Sequence, residues 1–247
     1  MRRVEDTAAA RPHNATPVAT KVAGPLFLRD ERLIRAVNVA VAVMLLLLSL
    51  PAWLLIAIAV KLTSRGPVFY TQLRVGQDGR SRSDRRGAIG RARTARRSTD
   101  VGGRPFTIVK FRTMKVDAEA PGHAVWASTN DHRLTIIGGF LRSCRFDELP
   151  QILNVIRGDM NLVGPRPERP QLFSELRSQI PNYQHRQKVR PGITGHAQVH
   201  LQYDTSVDDV KRKVEHDLDY IARRSVLEDL RIMLKTIPVM LFRKGGW

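Results

Sequence analysis

The sequence predicts an α/β fold, mostly α, that associates with a membrane: a Pro-broken re-entrant helix near the N-terminus, a small β-hairpin and amphipathic surface helices. Three observations carry this. Residues 36–60, AVNVAVAVMLLLLSLPAWLLIAIAV, hold no charge. Two stretches, GPVFYTQLRV and PFTIVKFRTMKV, alternate apolar and polar side chains as strands do. Further on, Leu149, Ile152, Leu153 and Ile156 recur at helical spacing.

With 247 residues, 43% of them hydrophobic, the chain fits one domain with additions and has enough apolar material for a sizeable core. Its 41 Lys and Arg against 23 Asp and Glu leave a formal charge of +18, which implies anionic partners. Nucleic acid, an anionic membrane surface and phosphorylated small molecules all qualify. A lone Cys144 excludes an intrachain disulfide framework and any CxxC motif. It reads as a small, semi-buried residue.

Residues 1–28 are rich in Ala, Thr, Pro and polar groups without periodicity, and read as a disordered tail. Residues 29–62 form the membrane helix. At roughly 1.5 Å per residue, its uncharged part is long enough for a hydrocarbon layer of about 30 Å. A cleaved signal peptide is a poor description, because the apolar run is too long and VKLTSRG offers no small-x-small cleavage site. Pro51 lies near the middle, where it removes a backbone hydrogen bond and clashes with the preceding turn, so a kink is expected. Arg29, Arg32 and Arg35 precede the apolar run; Lys61, Arg65 and Arg74 follow it. A simple span carries its basic excess on one side only. Basic flanks at both ends predict a kinked helix that enters and leaves through the same cytoplasmic face, with a tilted single span as the alternative.

Residues 63–247 form the catalytic unit. The two strand stretches pair as a hairpin, and residues 81–103 between them are a flexible Arg-rich insertion with almost nothing to bury. Contact with anionic headgroups and a plain solvated loop describe it equally well. A nucleic-acid arm is disfavoured, since no aromatic residue is interleaved to stack on bases. The Leu149 stripe predicts an amphipathic helix beginning at Asp147 or Glu148, because Pro150 is tolerated only in a first turn. GDMNLVGPRPERP ends it and turns. QLFSELRSQIPNYQHR reads as a short helix, and KVRPGITGHAQV as a loop leading into a short strand. SVDDVKRKVEHDLDYIARRS carries Val207, Val210, Val214, Leu218 and Ile221 on one face. The last stretch, broken at Pro238, suits either a membrane surface or a core.

The adjacent acids Asp147 and Glu148 stand out in so basic a chain. At a helix N-terminus the dipole and unpaired N–H groups favour the ionised form, and Arg142 and Arg145 push the same way. A positioned carboxylate serves as a nucleophile toward phosphorus, a Mg²⁺ ligand or a plain N-cap, and by spacing alone the cap is the commonest. Lys110 and Arg112 alternate on one strand face, Arg166 sits between two prolines, and Arg190 precedes Pro191 and Gly192. Four cations around an acid pair suit a diphosphate with a metal, because charge stabilisation dominates phosphoryl transfer.

KFRTM, then LRSCRFDELPQILNVIRGDMNLVGPRP, then RPGITGHAQV, in this order behind a Pro-broken apolar segment, closely resemble the monotopic phosphoglycosyl transferases. These bacterial sugar transferases begin glycan assembly on undecaprenyl phosphate. The likeness runs from about Arg29 to the C-terminus, interrupted by the Arg-rich insertion. It implies transfer of a sugar 1-phosphate from a UDP-sugar to a polyprenyl phosphate, with Mg²⁺, at the cytoplasmic face of the bacterial membrane. It implies Asp147 as the nucleophile that releases UMP, forms an aspartyl phosphosugar and contacts Mg²⁺, with Glu148 as its dyad partner. Lys110, Arg142 and Arg166 would contact phosphates or nucleotide; Arg190 and Asp217 are weaker candidates for the same pocket. A homodimer is a possible assembly.

Three features depart from the family pattern. The helix break reads Leu50-Pro51 with the serine one place earlier, at Ser49; a Trp common in the PGITG loop is His196; and the insertion has no counterpart in compact members. The rival reading is a membrane-tethered basic module that binds nucleic acid or anionic lipid. It leaves FDELPQ and GPRP without a purpose.

Overall fold

The computed structural model describes residues 30–79, 102–116, 118, 131–201 and 206–242, with side chains as far as residue 240. The predicted tail 1–28 and nearly all of the insertion 81–103 lie outside the described residues.

The apolar segment forms one helix, α1 (Glu31–Thr63), capped by the Asp30 side chain, which accepts from the Arg32 amide at 2.8 Å. Pro51 sits inside it. The Ser49 hydroxyl donates to the Leu46 carbonyl at 3.1 Å, the back-bonding that bends helices. A hydroxyl therefore serves the turn beside the proline even though the serine stands one place early. Ile34, Asn38, Ala42, Ile56 and Val60 are buried along one stripe, while Leu47, Leu48, Leu54 and Leu55 on other faces stay 62–72% exposed.

β1 (Phe69–Val75) and β2 (Pro105–Phe111) form the predicted antiparallel hairpin, in register from Phe69↔Phe111 to Val75↔Pro105. The outer edge of β2 is not left open. Asn154 Nδ2 donates to the Thr107 carbonyl at 2.8 Å, and its Oδ1 accepts from the Val109 amide at 3.3 Å, mimicking a neighbouring strand.

Next comes α2 (Ile136–Ser143), a helix absent from the sequence expectations: Ile136, Ile137, Phe140 and Leu141 recur at helical spacing, but Gly138 and Gly139 between them are poor helix formers. Gly138 answers to packing: a Cβ there would land on the Thr113 carbonyl oxygen. α3 (Gln151–Arg157) ends on Gly158, whose φ of 97° suits a residue without a side chain. β3 (Asn161–Val163) then pairs in parallel with β4 (Gly192–Thr194).

Several boundaries differ from expectation. GDMNLVGP is not only a turn, since β3 lies within it. The strand expected after the PGITG loop lies inside it as β4, and the following HAQVH forms α5 (His196–His200). The helix expected over residues 171–186 stops at α4 (Pro170–Gln179) and resumes as a 3₁₀ stretch, Tyr183–Lys188, because Pro181 cannot continue it.

α6 (Val207–Arg223) opens with a capping box between Ser206 and Asp209. α7 (Val226–Phe242) runs through Pro238 rather than breaking there. Leu234 and Pro238, the two ends of the lost backbone bond, both lie on the exposed side, so no buried carbonyl is orphaned. Of the two readings of α7, the core is the one observed, on one face only. Ile232 is buried in the core, while Leu230, Leu234 and Ile237 are exposed at helical spacing.

The main core joins Ala42 of α1, Ile108 of β2, Val155 of α3, Leu162 of β3, Tyr220 of α6 and Ile232 of α7. Burial of this shared apolar surface welds α1 to the globular part. Both ends of α1 add polar ties to it. Arg35 donates to the carbonyls of Val155 and Met160, capping the C-terminal end of α3, and Asn38 bonds the Leu162 amide at 2.7 Å. At the other end Arg112 donates to the carbonyls of Ser64 and Arg65, each at 2.8 Å.

Candidate active site

The two acids do not open an α-helix. Phe146–Glu148 form a 3₁₀ turn, and α3 begins only at Gln151, after Pro150. Arg145 delivers the chain into that turn with φ 56°, a left-handed conformation that non-glycine residues enter at a cost. The reversal carries the pair inward: Asp147 is 7% exposed and Glu148 5%.

Cations from three elements converge on them. Lys110 Nζ, on β2, lies 2.8 Å from Glu148 Oε1 and 3.8 Å from Asp147 Oδ2. Arg166 grips Glu148 with both Nη atoms, at 2.7 Å to Oε1 and 3.4 Å to Oε2. Arg142, from α2, is steadied by a 3.1 Å bond from its Nε to Thr113 Oγ1 and acts on Asp147 through its charge.

Burial pushes the Asp147 carboxyl up, and the Glu148 charge adds to this; together they outweigh Lys110. Burial also pushes Glu148 up, but Arg166 and Lys110 overcome it and hold that carboxyl well below the usual range. The helix-end argument expected Asp147 to be the favoured anion. The 3₁₀ turn stands outside α3 and the nearest cations bond its neighbour, so burial prevails at Asp147 until a further cation arrives.

The remaining candidates are dispersed. β2 ends at Phe111, so Arg112 escapes the alternation that would share a face with Lys110, and its guanidinium is engaged at the end of α1. Arg190 Nε donates to the Gly158 carbonyl at 3.1 Å, at the opposite end of α3 from the acids. Asp217 is buried against Arg186, with Oδ2 accepting from Nε at 2.8 Å. Arg186 in turn donates from Nη2 to the Arg166 carbonyl at 3.0 Å, so Asp217 reaches the acid pair through two intermediaries.

This support for Arg166 escaped the sequence reading. Arg74 Nη1 donates to the Pro167 carbonyl at 3.0 Å, and Lys213 pairs with Glu168 at 3.2 Å. Burial pushes the Glu168 carboxyl up, yet Lys213, Arg186 and Arg74 reverse this and bring it down to about 2. The loop that presents Arg166 is thus locked from β1, the 3₁₀ stretch and α6. One clue was available. Asp217 falls on the apolar stripe of α6 beside Val210 and Val214, and a buried acid demands a buried cation.

A buried carboxylate pair ringed by cations, in a fold that carries a long exposed apolar helix, suits phosphate chemistry in a membrane-associated protein. The chain belongs to the bacterial sugar transferase family, whose model matches residues 29–83 and 90–243 and skips only a few positions inside the Arg-rich insertion. It is 39% identical over 209 residues to a UDP-glucose:undecaprenyl-phosphate glucose-1-phosphate transferase of Caulobacter vibrioides, covering 84% of this chain and 69% of the relative. It is also 39% identical over 212 residues to a UDP-N-acetylgalactosamine-undecaprenyl-phosphate N-acetylgalactosaminephosphotransferase of Aeromonas hydrophila, covering 86% of this chain but only 44% of that protein. Against the exopolysaccharide production protein ExoY of Rhizobium meliloti the identity is 34% over 229 residues, 86% of this chain and 87% of ExoY.

Proposed function

We propose that this chain transfers a sugar 1-phosphate from a UDP-sugar to undecaprenyl phosphate, at the cytoplasmic face of a bacterial membrane and as the first membrane step of a polysaccharide. The observation that carries this reading is the unequal sharing of cations. Glu148 takes Lys110 and Arg166, while among the described residues the Asp147 side chain accepts no hydrogen bond and has Lys110 at 3.8 Å. An oxygen held within a cationic ring and not consumed by it is what a nucleophile toward phosphorus requires. The relatives' substrates and the family membership support the same chemistry.

In the first step an Asp147 oxygen attacks the phosphorus that bears the sugar. The bond from that phosphorus to the oxygen of UMP breaks, UMP leaves, and an aspartyl phosphosugar remains. In the second step a phosphate oxygen of the lipid attacks the same phosphorus, and the Asp147 carboxylate leaves. Lys110, Arg142 and Arg166 offset the charge that builds on the phosphoryl oxygens. Glu148 keeps Lys110 and Arg166 positioned before substrate arrives. The donor set fits Mg²⁺, a hard cation that binds one or two carboxylates together with substrate phosphates, and Asp147 offers the oxygens that Lys110 and Arg166 leave without a hydrogen bond. When bound there, the ion supplies the positive charge that favours the Asp147 anion and neutralises the diphosphate.

The membrane helix is read as re-entrant. Its start is tied to the globular part through Arg35 and Asn38, and its end through Arg112. A helix crossing a bilayer would carry one of those ends to the far side. The exposed leucines of α1, with Ile136 and Phe140 of α2 and Leu234 and Ile237 of α7, supply apolar surface for lipid. A basic module for nucleic acid would have no use for the buried acid pair.

The test is purified protein with Mg²⁺, undecaprenyl phosphate and a panel of UDP-sugars, scored by UMP release. Release with at least one sugar, abolished in Asp147→Asn, supports the reading. No release with any sugar, or undiminished release by the variant, overturns it.

A further inference from the structure

Away from the acid pair, three imidazoles converge. His196 opens α5, His200 closes it one turn later on the same face, and His216 reaches them from α6. The ring centroids lie 4.3, 5.3 and 5.8 Å apart, and one nitrogen from each ring falls within 4.8 Å of the other two. Ring stacking alone leaves a question open. His196 Nδ1 is shut off from solvent and has no hydrogen-bond partner, which buried polar atoms rarely tolerate.

The surrounding groups show which faces of the rings are basic. Arg223 Nη2 stands 3.4 Å from His196 Nε2, and Lys235 Nζ stands 3.3 Å from His200 Nε2. Arginine and lysine only donate, so both imidazoles present lone pairs to cations. The Asp219 carboxylate, 3.8 Å from His196 Nε2 and paired with Arg223, offsets part of the local positive charge.

We propose that His196, His200 and His216 form a binding site for a borderline divalent cation, Zn²⁺ foremost, that clamps α5 to α6. Three imidazoles with a fourth position left to water are a donor set that suits Zn²⁺. Mg²⁺ prefers oxygen ligands and stays with the acid pair. The ion displaces both donors, Lys235 from His200 Nε2 and Arg223 from His196 Nε2, and Arg223 keeps its pair with Asp219. α5 follows β4 directly, and β4 pairs with β3, the strand that leads into Arg166. The site is independent of the transfer reaction and stands or falls without it.

The experiment uses the untagged full chain in detergent, titrated with Zn²⁺ against a chelating dye and with Co²⁺, whose visible absorption reports tetrahedral ligation. Wild type takes up one equivalent, and its melting temperature rises with Zn²⁺. His200→Ala and His216→Ala each weaken uptake by at least the roughly tenfold that losing even an outer-shell partner costs. His200 is exposed, so its variant keeps the fold, and an unchanged melting curve without metal verifies that. Lys235→Met tightens binding by removing one competing cation. Absence of stoichiometric uptake, uptake indifferent to both histidine variants, or uptake lost in Asp147→Asn overturns the proposal.

Discussion

Lys110 Nζ lies 2.8 Å from Glu148 Oε1 and an ångström further from Asp147 Oδ2, so one ammonium serves both acids unequally. The lysine comes from the hairpin and the acids from the turn before α3, so the contact also ties the hairpin to the site. Arg166 shares the load on Glu148 and is 31% exposed at its side chain, the more open of the two cations. On the proposed reaction, an incoming diphosphate would meet Arg166 first and Lys110 behind it.

From this arrangement Lys110→Met is expected to cut UMP release by about 10²–10³-fold, the usual effect of losing one preorganised charge donor. Arg166 still neutralises Glu148, so the melting temperature should change little. Lys110→Arg keeps the charge at a different reach and should recover part of the rate. A rate within a few-fold of wild type in Lys110→Met would mean that the lysine is structural.

Arg186 and Asp217 allow stability to be separated from positioning. Both are buried, and Arg186 also bonds the Tyr183 hydroxyl and the Arg166 carbonyl. Asp217→Asn removes the closest carboxylate from a buried guanidinium, leaving Glu168 at 3.8 Å, and should cost about 3 kcal/mol in unfolding experiments. The double variant Arg186→Met with Asp217→Leu removes both charges, and much of that loss should return. Its UMP release should stay low, because the Arg186 bond to the Arg166 carbonyl is lost. Full recovery of both stability and turnover would show that the pair only fills space.

Glu168 gives a pH signature whose sign follows from its lowered carboxyl. The folded chain holds it near 2, against an ordinary value of 4.5, so its ion pairs stabilise the fold fully above about pH 4.5. That contribution drains away as pH falls toward 2. The gap in melting temperature between wild type and Glu168→Gln should therefore be constant from pH 7 to about 5 and shrink below 4.5. A gap that widens on acidification would contradict the assignment. At full strength the contribution is roughly 3 kcal/mol on the linkage scale, which sets the size of the effect to look for.

What the sequence disclosed and what it hid have separate physical causes. Alternation exposed the hairpin, and the absence of charge exposed α1, because each pattern needs only its own stretch of chain. α2 was passed over although Ile136, Ile137, Phe140 and Leu141 recur at helical spacing, because two glycines interrupt the stretch; the reason for Gly138, the Thr113 carbonyl, lies more than twenty residues away in sequence. Asp147, Glu148, Lys110, Arg142 and Arg166 were all nameable from motif and residue type. That Arg112 would turn to α1 was not, since it depended on β2 ending one residue earlier. The electrostatic order of the two acids was hidden for a related reason. It depends on which carboxylate the cations reach, and that is set by the left-handed turn at Arg145.

The topology of α1 yields the last prediction. Arg32 and Leu62 sit at opposite ends of the helix, both exposed, and each end is tied to the same globular part. In a Cys144→Ser background, single cysteines at these two positions report which side of the membrane each end occupies. A re-entrant helix makes both react with an impermeant maleimide from the cytoplasmic side, in inverted vesicles, and neither from outside, in intact spheroplasts. A helix that spans would label one from each side. Pro51→Ala adds a second reading, because it restores the backbone bond and removes the ring clash that favours bending. If Pro51 sets the return, the variant should begin to show outside labelling at one end, while Leu48→Ala, on the exposed face, should leave the pattern as in the parent.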